Sequence, residues 1–258
     1  VFFLRDGLSV AEKERMTAYG ADMSKYLDSG NEARIKKAYE SRDPRLQMAI
    51  ITPYAQYNGA SSGIAHTYTL RWPYRGSDSA EPFDIRTDTN DKFYYLWRKF
   101  VPEGLEQTER DTYGLDIPLI RYAEVLLLKA EALNEWGSTH ESEAIRCVNE
   151  VRRRAGHVEL NNAAYPATKV NGQSDLRERI RNEYYWEIGG EDSMYFHELR
   201  WGTWKDKKFD NNRNGLMQMW GETTYTWYWL GDQCWSWPIP AKEMEMNSNL
   251  EQNEGWIN

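Results

Sequence analysis

The chain has 258 residues, of which 40% are hydrophobic, and carries a formal net charge of -8. This length and apolar content are enough to bury one sizeable core, so a globular protein is expected and a disordered one is excluded. The negative charge leaves no basic stripe for phosphate groups, so no nucleic acid partner is predicted. No apolar run reaches about 18 residues, which argues against a membrane-spanning helix.

No cofactor or metal is predicted. Cys147 and Cys234 have neither the number of a disulfide framework nor the spacing of metal ligands, and the histidines are scattered singly. The segment DNNRNG (210–215) matches the first half of a calcium loop, but Gly221 stands where such a loop needs a glutamate. We therefore interpret this segment as a turn.

Two kinds of segment, which differ in composition and in apolar periodicity, alternate along the chain. Residues 117–201 have the apolar periodicity of helices, whereas residues 50–115 and 203–258 are rich in Gly, Asn, Asp, Thr, Tyr and Trp and have few periodic apolar stripes. This contrast predicts a frame of helices that carries long loops.

The first predicted helix runs through DIPLIRYAEVLLLKAEALNEWG (116–137). Asp116 is expected to cap its start, Pro118 to lie in its first turn, and Gly137 to end it in a left-handed conformation. Its predicted apolar stripe comprises Ile120, Ala123, Leu127, Ala130 and Asn134. The alanines of the stripe would let a neighbouring helix approach closely.

The second predicted helix lies in STHESEAIRCVNEVRRRAG (138–156). Ser138 and Glu141 have the spacing of a capping box, and Gly156 is expected to end the helix. The short connection predicts an antiparallel helix pair, similar in length and small residues to a tetratricopeptide repeat. Because one such unit cannot bury its own apolar face, further helices must cover it.

A third helix is predicted in SDLRERIRNEYYWEIGG (174–190), and a short fourth helix begins at Asp192 or Ser193. Acidic and basic residues alternate beside aromatic residues through both helices. Clustered carboxylates would suit acid and base catalysis, but the alternation is more typical of ion pairs that orient packed helices. We therefore predict ion pairs here.

Tryptophans crowd the segment MWGETTYTWYWLGDQCWSWPIP (219–240), which could be a platform for a sugar or part of a core. A strand through TYTWYWL would be aromatic on both faces, as sandwiched strands are. Trp235 and Trp237 lead into a proline turn and are assigned to the core. Core and platform both stay open for the remaining tryptophans, Trp220, Trp227 and Trp229.

A series of segments, taken together, resembles the carboxy-terminal part of SusD/RagB proteins, which are outer-membrane lipoproteins of Bacteroidetes that bind glycans or other nutrients. The segments are RDPRL (42–46), PLIRYAEVLLLKAEALNEWG (118–137), AIRCVNEVRRRAG (144–156), IRNEYYWEIGGEDSMYFHELRWG (180–202), PIPAKEME (238–245) and NSNLEQNEGW (247–256). They follow the order of the family's motifs, which makes the resemblance specific.

The resemblance implies a mostly α-helical fold, the SusD-like fold, with tetratricopeptide-like helix pairs, long aromatic-rich loops and a few short strands. Residues 1–258 would form the carboxy-terminal portion of a single domain. Within it we expect a loop-rich ligand-binding region (42–115), a helical repeat-like frame (116–202) and a loop-rich closing segment (203–258).

The resemblance also implies a function. SusD-like proteins capture oligosaccharides or polysaccharides such as starch and deliver them to a SusC-like TonB-dependent transporter, without catalysis. Family members are longer than this chain and begin with a lipoprotein signal and a lipidated cysteine. We therefore expect a longer protein whose only membrane attachment is a lipid anchor, on the extracellular face of the outer membrane.

In SusD-like proteins part of the binding surface lies between the Asp-Pro-Arg motif and the repeat helix, here in loops at about 52–95. This window supplies rings that can stack on sugars and polar groups, Asn58 among them, that can bond hydroxyls. The predicted ligand-binding residues are Tyr54, Tyr57, Arg71, Trp72, Tyr74 and Asp78, joined by Trp227 and Trp229 of the closing segment. Ordinary turns with buried aromatics are the alternative. FYYLWRKF (93–100) is predicted to be a scaffold strand.

Two alternative functions stay open. A glycoside hydrolase would also be rich in tryptophan and acids, and Glu222 and Asp232 flank the tryptophan cluster. Nothing in the sequence makes them a catalytic pair, and no nucleophile elbow, Walker loop or HExxH motif is present. A SusD-like protein with a peptide cargo is the other alternative.

Overall fold

The computed structural model describes residues 42–52, 55–61, 64–74, 84–88, 96–104, 116–191, 193–208 and 229–256, with backbone alone at 60–61, 71–74, 84–88, 96 and 207–208. The described residues divide into two compact units, one within 42–194 and the other comprising 195–208 and 229–256. Among the described helices none is long and apolar enough to cross a membrane.

The first described element, helix α1 (Pro44–Ala49), begins at the Asp-Pro-Arg motif. The carboxylate of Asp43 accepts a hydrogen bond from the backbone N–H of Arg45 at 2.9 Å, and Pro44 lies in the first turn, where its missing N–H costs nothing. The helix leads directly into β1 (Ile50–Ile51). This strand pairs antiparallel with β5 (Leu96–Trp97), which confirms the predicted strand at those two residues.

The window expected to consist of loops contains strands β2 (Gln56–Ser61), β3 (Ile64–Tyr74) and β4 (Asp84–Asp88). Strand β3 pairs antiparallel with β2 and parallel with β4. The expectation of loops was therefore wrong for these residues. The Thr and Tyr residues of AHTYTLRW favour a pleated strand, and its polar and apolar positions alternate around the fully buried Leu70.

The predicted helix pair is confirmed as α2 (Tyr122–Trp136) and α3 (Glu141–Arg154), joined by a 3₁₀ turn at Ser138–His140. The two helices pack against each other, and Leu127, Ala130, Ala144 and Val148 of the pair are fully buried. Helix α2 starts later than expected, with Arg121 instead of Asp116 as its N-cap residue. Arg121 has an extended backbone and its side chain is held by carboxylates of another helix, so Ile120 lies before the helix and is exposed.

Helix α4 (Gln173–Ile188) packs against α2, and so gives the pair part of the cover that a single unit lacks. It ends at the predicted glycine pair. Gly190 has a φ of 83°, and a Cβ placed on it would lie 2.7 Å from the ring of Trp97, so only glycine fits this turn. Helix α5 (Ser193–Arg200) then begins at the predicted serine.

The second unit contains α6 (Trp204–Lys208), a 3₁₀ turn at Asp232–Trp235 and α7 (Ala241–Met246). The side chains of residues 252–256 hold residues 236–239 of the tryptophan-rich segment through hydrogen bonds to the backbone. Gln252 both accepts from the N–H of Ile239 and donates to its carbonyl, at 2.7 and 3.0 Å, and Asn253 donates to the carbonyl of Trp237 at 2.6 Å. The indole of Trp256 donates to the carbonyl of Ser236 at 2.9 Å.

The prediction that Trp237 belongs to the core was wrong, because 68% of the residue is exposed. The Asn253 side chain holds the Trp237 backbone by donating to its carbonyl, and the neighbours of Trp237 are the extended Ser236 and a proline. This leaves the ring on the surface. Trp235 is half-buried. The segment DNNRNG, Trp220 and Trp227 lie outside the described residues.

Candidate ligand-binding surfaces

A buried ion network occupies one face of α4 in the first unit. Glu183 is completely buried and lies 2.7 Å from Arg45 and 2.8 Å from Arg152, both of which are also buried. One turn later Glu187 contacts Arg45 and Arg121 at 3.2 and 2.9 Å and also pairs with Arg154. These pairs tie α1, α2 and α3 to α4, so the predicted ion pairs are confirmed.

The network continues at the end of α4, where Arg121 reaches Glu191 at 2.7 Å and Lys99 pairs with the same carboxylate. Burial raises the pKa of Glu187, but hydrogen bonding by Arg121 and the surrounding arginine charges outweigh it and hold the pKa below its ordinary value. A general acid needs the opposite shift. The network is therefore suited to orienting helices, since its carboxylates already serve as ion-pair partners.

Asp43 couples the cap of α1 to this network. Its carboxylate accepts two hydrogen bonds from the Arg45 guanidinium, at 2.6 and 3.0 Å, and lies 3.5 Å from His157. Burial raises the pKa of Asp43. The hydrogen bonds and the charge of Arg45 lower it by more, so the pKa lies below its ordinary value. His157 in turn stacks on Trp186 with nearly parallel rings.

Tyr57, predicted to offer a ring to a ligand, lies instead in the core of the β-sheet region. It is 5% exposed and packs with Ile51 and Leu70, and its hydroxyl donates to the carbonyl of Pro102 at 2.9 Å. Its position follows from strand alternation, because Tyr57 shares the inward face of the hairpin with its cross-strand neighbour Tyr68. The ring is therefore unavailable for stacking.

The opposite face of the β2–β3 hairpin is polar and exposed. Asn58 and Thr67 face each other across the strands, and the Thr67 hydroxyl donates to the Asn58 side chain at 3.3 Å. Glu103 accepts the N–H of Asn58 at 3.2 Å and pairs with Arg98, whose hydrogen bonds hold the pKa of Glu103 below its ordinary value. This face presents amide and hydroxyl groups on a rigid support, which suits hydrogen bonds to sugar hydroxyls.

Several predicted site residues are only partly located. Arg71, Trp72 and Tyr74 belong to β3, and the pairing of β3 with β4 shifts register between Arg71 and Tyr74. Tyr54, Asp78 and Trp227 lie outside the described residues. Their part in a ligand site stays a prediction.

Trp229, the remaining predicted residue, lies in a compact aromatic and charged cluster of the second unit. We call this the Trp229 cluster, and it comprises Trp229, Trp235, Lys205 and Asp232. The Trp229 indole donates to Asp232 at 3.3 Å, and Lys205 pairs with the same carboxylate at 3.1 Å while its ammonium lies 5.4 Å from the Trp229 ring centre. The rings of Trp229 and Trp235 are 5.1 Å apart at 59°. The cluster offers partly exposed rings with fixed orientations beside paired charges.

Asp232 is one of the two acids that flank the tryptophan cluster and that the hydrolase alternative would need. Hydrogen bonds from Lys205 and then Trp229 hold the pKa of this exposed carboxyl below its ordinary value, so it is ionised at neutral pH. It is therefore unfit to donate a proton to a leaving group. The other nominated acid, Glu222, lies outside the described residues.

Sequence reasoning missed Lys205 as a member of this cluster. It lies 27 residues before Asp232, on a short helix without a motif, and only the fold brings the two together. The one available signal was the pair of charges flanking a tryptophan-rich segment, which does not specify a partner.

Comparisons with known proteins agree with one another. The model of the SusD family matches residues 6–256. SusD-like protein P38 of Formosa agariphila is 32% identical over 139 residues, covering 54% of this chain and 24% of that protein. The starch-binding protein SusD of Bacteroides thetaiotaomicron is 28% identical over 161 residues, covering 62% of this chain and 25% of that protein. The chain therefore spans about a quarter of the length of these relatives.

Solved structures give the same fold. A SusD-like protein from Bacteroides fragilis has a TM-score of 0.58 at 23% identity, covering 85% of this chain and 40% of that chain. A SusD homolog from Bacteroides thetaiotaomicron has a TM-score of 0.55 at 23% identity, covering 89% of this chain and 42% of that chain. The predicted fold class, mostly helical with tetratricopeptide-like pairs and a few short strands, is thereby confirmed.

Proposed function

Since the chain belongs to the SusD family, we propose that it captures glycans at the outer surface of the outer membrane and delivers them to a SusC-like TonB-dependent transporter. It does so without cleaving them, as part of a lipid-anchored protein. Membership of the family and similarity to a relative named for starch binding support this role. The observation that carries it is the Trp229 cluster, because it combines partly exposed rings with oriented polar groups.

The Trp229 cluster suits a saccharide for a physical reason. The face of a pyranose ring carries C–H groups that pack on an aromatic ring, while its hydroxyls need hydrogen-bond partners at the edge of that ring. Asp232 accepts the indole N–H at the edge of Trp229, Lys205 lies over one face of the ring, and the pairing of the two charges leaves no net charge. We therefore assign a neutral glycan to this cluster.

The polar face of the β2–β3 hairpin supports the same function in the first unit. Asn58 and Thr67 offer hydrogen-bonding groups on adjacent strands. The predicted ligand residues of β3 and of the neighbouring segments, which are Arg71, Trp72, Tyr74, Tyr54 and Asp78, remain proposals for this site, as does Trp227 for the closing segment. Many weak contacts of this kind favour release to a transporter, since a tightly held cargo would not be passed on.

A binding and turnover screen tests the proposal. The complete gene product that contains this chain would be run through native gels cast with plant, host or microbial polysaccharides, while the release of reducing sugar is measured in parallel. Retardation by one glycan class without sugar release is the expected result. Sugar release would establish a hydrolase instead, and failure of every glycan to retard the protein would favour a peptide cargo and overturn the proposal.

The transporter partner is tested separately. The protein would be affinity-purified from detergent-solubilised outer membranes of its own host, and copurification of a TonB-dependent barrel in stoichiometric amount is expected. Purification without any such barrel, while glycan binding is retained, would contradict delivery but not capture.

A further inference from the structure

We propose that Asn171 is a site of spontaneous chemical modification, at which the protein converts its own asparagine to aspartate and isoaspartate. Asn171 and Gly172 form an Asn–Gly pair directly before α4. In such a pair the backbone nitrogen of the glycine can attack the side-chain amide of the asparagine, because glycine has no Cβ to obstruct the approach. Whether the reaction occurs depends on the contacts that hold the two residues in the folded chain.

The backbone nitrogen of Gly172 is open to reaction. Asn171 and Gly172 are both exposed and lie outside helices and strands. Within the described part of the chain, no acceptor takes the backbone N–H of Gly172. A Cβ placed on this glycine would meet no atom within 4 Å, so there is room for a ring to close. The nucleophile is therefore neither bonded nor covered.

The side-chain amide of Asn171 is weakly held. Its nitrogen donates to the carbonyl of Lys169 at 3.4 Å, which is longer than an ordinary N–H···O bond. Among the residues that the structure describes, its oxygen accepts no hydrogen bond. The amide can therefore turn towards the Gly172 nitrogen at little cost in hydrogen bonding.

A second Asn–Gly pair is protected by the fold and provides an internal comparison. Asn58 and Gly59 lie in β2, and the N–H of Asn58 is bonded to the Glu103 side chain at 3.2 Å instead of to β3. Because N–H groups alternate in direction along an antiparallel strand, the N–H of Gly59 is donated to its cross-strand neighbour His66. Gly59 is also buried, so its nitrogen is unavailable while the hairpin is intact. The Asn–Gly pair at 214–215 lies outside the described residues.

The reaction needs only water and a base. Hydroxide removes the proton from the Gly172 nitrogen, which then bonds to the side-chain carbonyl carbon of Asn171. The amide carbon–nitrogen bond breaks, and the leaving nitrogen takes a proton from water, which releases ammonia and regenerates hydroxide. One water molecule then opens the five-membered imide at either of its two carbonyl groups. One opening gives aspartate, and the other gives isoaspartate, whose main chain is one carbon longer.

Isoaspartate at this position would disturb the joint between α4 and α2. On one side, the backbone N–H of Asn171 donates to Asp175 at 2.8 Å. On the other side, the Gln173 side chain donates to the carbonyl of Asn134 at 2.7 Å, and the Gln173 carbonyl accepts from the Asn134 side chain at 3.2 Å. An extra main-chain carbon between these anchors must shift at least one of them. We therefore expect the first turn of α4 to loosen from the end of α2.

Peptide mapping by mass spectrometry tests the proposal. The complete gene product that contains this chain would be incubated in mildly alkaline buffer made with heavy-oxygen water, so that each conversion incorporates a labelled oxygen. The tryptic peptides 170–177 and 46–71 contain one asparagine each, Asn171 and Asn58. In the folded protein the first peptide should become labelled, at a rate proportional to the hydroxide concentration, and the second should not. In urea both should become labelled at similar rates, because unfolding frees the Gly59 nitrogen.

Asn171→Gln is the matched control, because glutamine would have to close a less favoured six-membered ring and should stay unlabelled at this position. Labelling of Asn171 no faster than that of Asn58 in the folded protein would overturn the proposal. After the same incubation, the wild type should have a lower denaturation midpoint than Asn171→Gln. Equal midpoints would refute the loosening of α4. Circular dichroism of the fresh variant confirms that its fold is kept.

Discussion

The most unusual groups among the described residues differ between the two units. In the first unit, α4 buries the carboxylates of Glu183 and Glu187 among arginines, deep between packed helices. In the second unit, Phe196 and Trp237 hold aromatic rings in water. Charge inside and aromatic rings outside both work against the hydrophobic effect, so each needs a reason.

The reasons differ in kind. A buried ion pair gains little net stability over an apolar pair, but it fixes the relative register of the helices, since any slip leaves charges without partners. An exposed and immobilised ring gains nothing until a ligand covers it. The buried charges of the first unit therefore fix geometry, and we propose that the exposed rings of the second unit serve recognition. The contrast predicts that mutations of the two sets will differ in what they damage.

The largest expected effect is on the buried network. Glu183→Gln leaves Arg45 and Arg152 buried without their shared counter-charge, and should lower the free energy of unfolding by about 3–5 kcal/mol. Chemical denaturation followed by circular dichroism measures this change. The matched control is Glu178→Gln on the same helix, whose exposed pair with Arg181 should contribute less than about 1 kcal/mol. Similar losses in both variants would mean that the buried network contributes no more to the free energy of unfolding than an exposed ion pair does.

The next effect concerns the turn after α4. Gly190→Ala forces a Cβ against the ring of Trp97 at a positive φ, and should cost about 2–4 kcal/mol from overpacking and backbone strain together. Gly156→Ala, at the end of α3, has a similar φ of 71° but meets only Pro44 at 3.9 Å, an ordinary contact, so it should cost only about 1 kcal/mol. The difference between the two unfolding free energies isolates the contact with Trp97. Equal costs would show that this contact is unimportant.

Acid should weaken the first unit through Asp43 and Glu187. Both pKa values are lowered on folding from ordinary values of 3.8 and 4.5, so their contribution is complete above about pH 4.5 and is lost as the pH falls through the folded-state values. Denaturation midpoints measured at successive pH values should therefore fall in this acidic window. Asp43→Asn should flatten that dependence, and an unchanged slope would contradict the role given to its pairing with Arg45.

The smallest expected effect on stability is that of Trp237→Ala. Because most of the ring is already exposed, its removal should change the free energy of unfolding by less than about 1 kcal/mol. Leu127→Ala at a fully buried position of the helix pair should cost about 2–5 kcal/mol by comparison. A large loss from Trp237→Ala would show that the ring serves the fold, and would undo the contrast between the two units.

The parts of the fold that sequence reasoning predicted are those fixed by local rules. The start of α5 at Ser193, the glycine ends of α2 and α4 and the ion pairs of α4 all follow from capping, backbone freedom and charge periodicity. The start of α2 did not, because Arg121 is held in an extended conformation by Glu187 and Glu191, which lie 66 and 70 residues away.

The surfaces were harder to predict, because burial depends on contacts between distant residues. Neighbours along the chain led to the predictions that Tyr57 binds a ligand with its ring and that Trp237 lies in the core, and the structure shows the opposite burial for both. Tyr57 is buried because it packs against Leu70 of the other hairpin strand. Asn253 holds the backbone of Trp237, whose ring is exposed. Neither partner is specified by a motif. The tryptophan-rich segment did indicate a candidate site at Trp229, but not the role of Lys205.

The most direct test of the account is the glycan affinity of Trp229→Ala, measured by calorimetry with the polysaccharide that retards the wild type. Trp136→Ala is the matched control, since it removes another exposed tryptophan, at the end of α2. If the Trp229 cluster is the platform, Trp229→Ala loses about tenfold or more in affinity, while the control binds as the wild type does. Unchanged affinity in Trp229→Ala, with binding lost in Trp72→Ala, would place the glycan elsewhere and contradict the account.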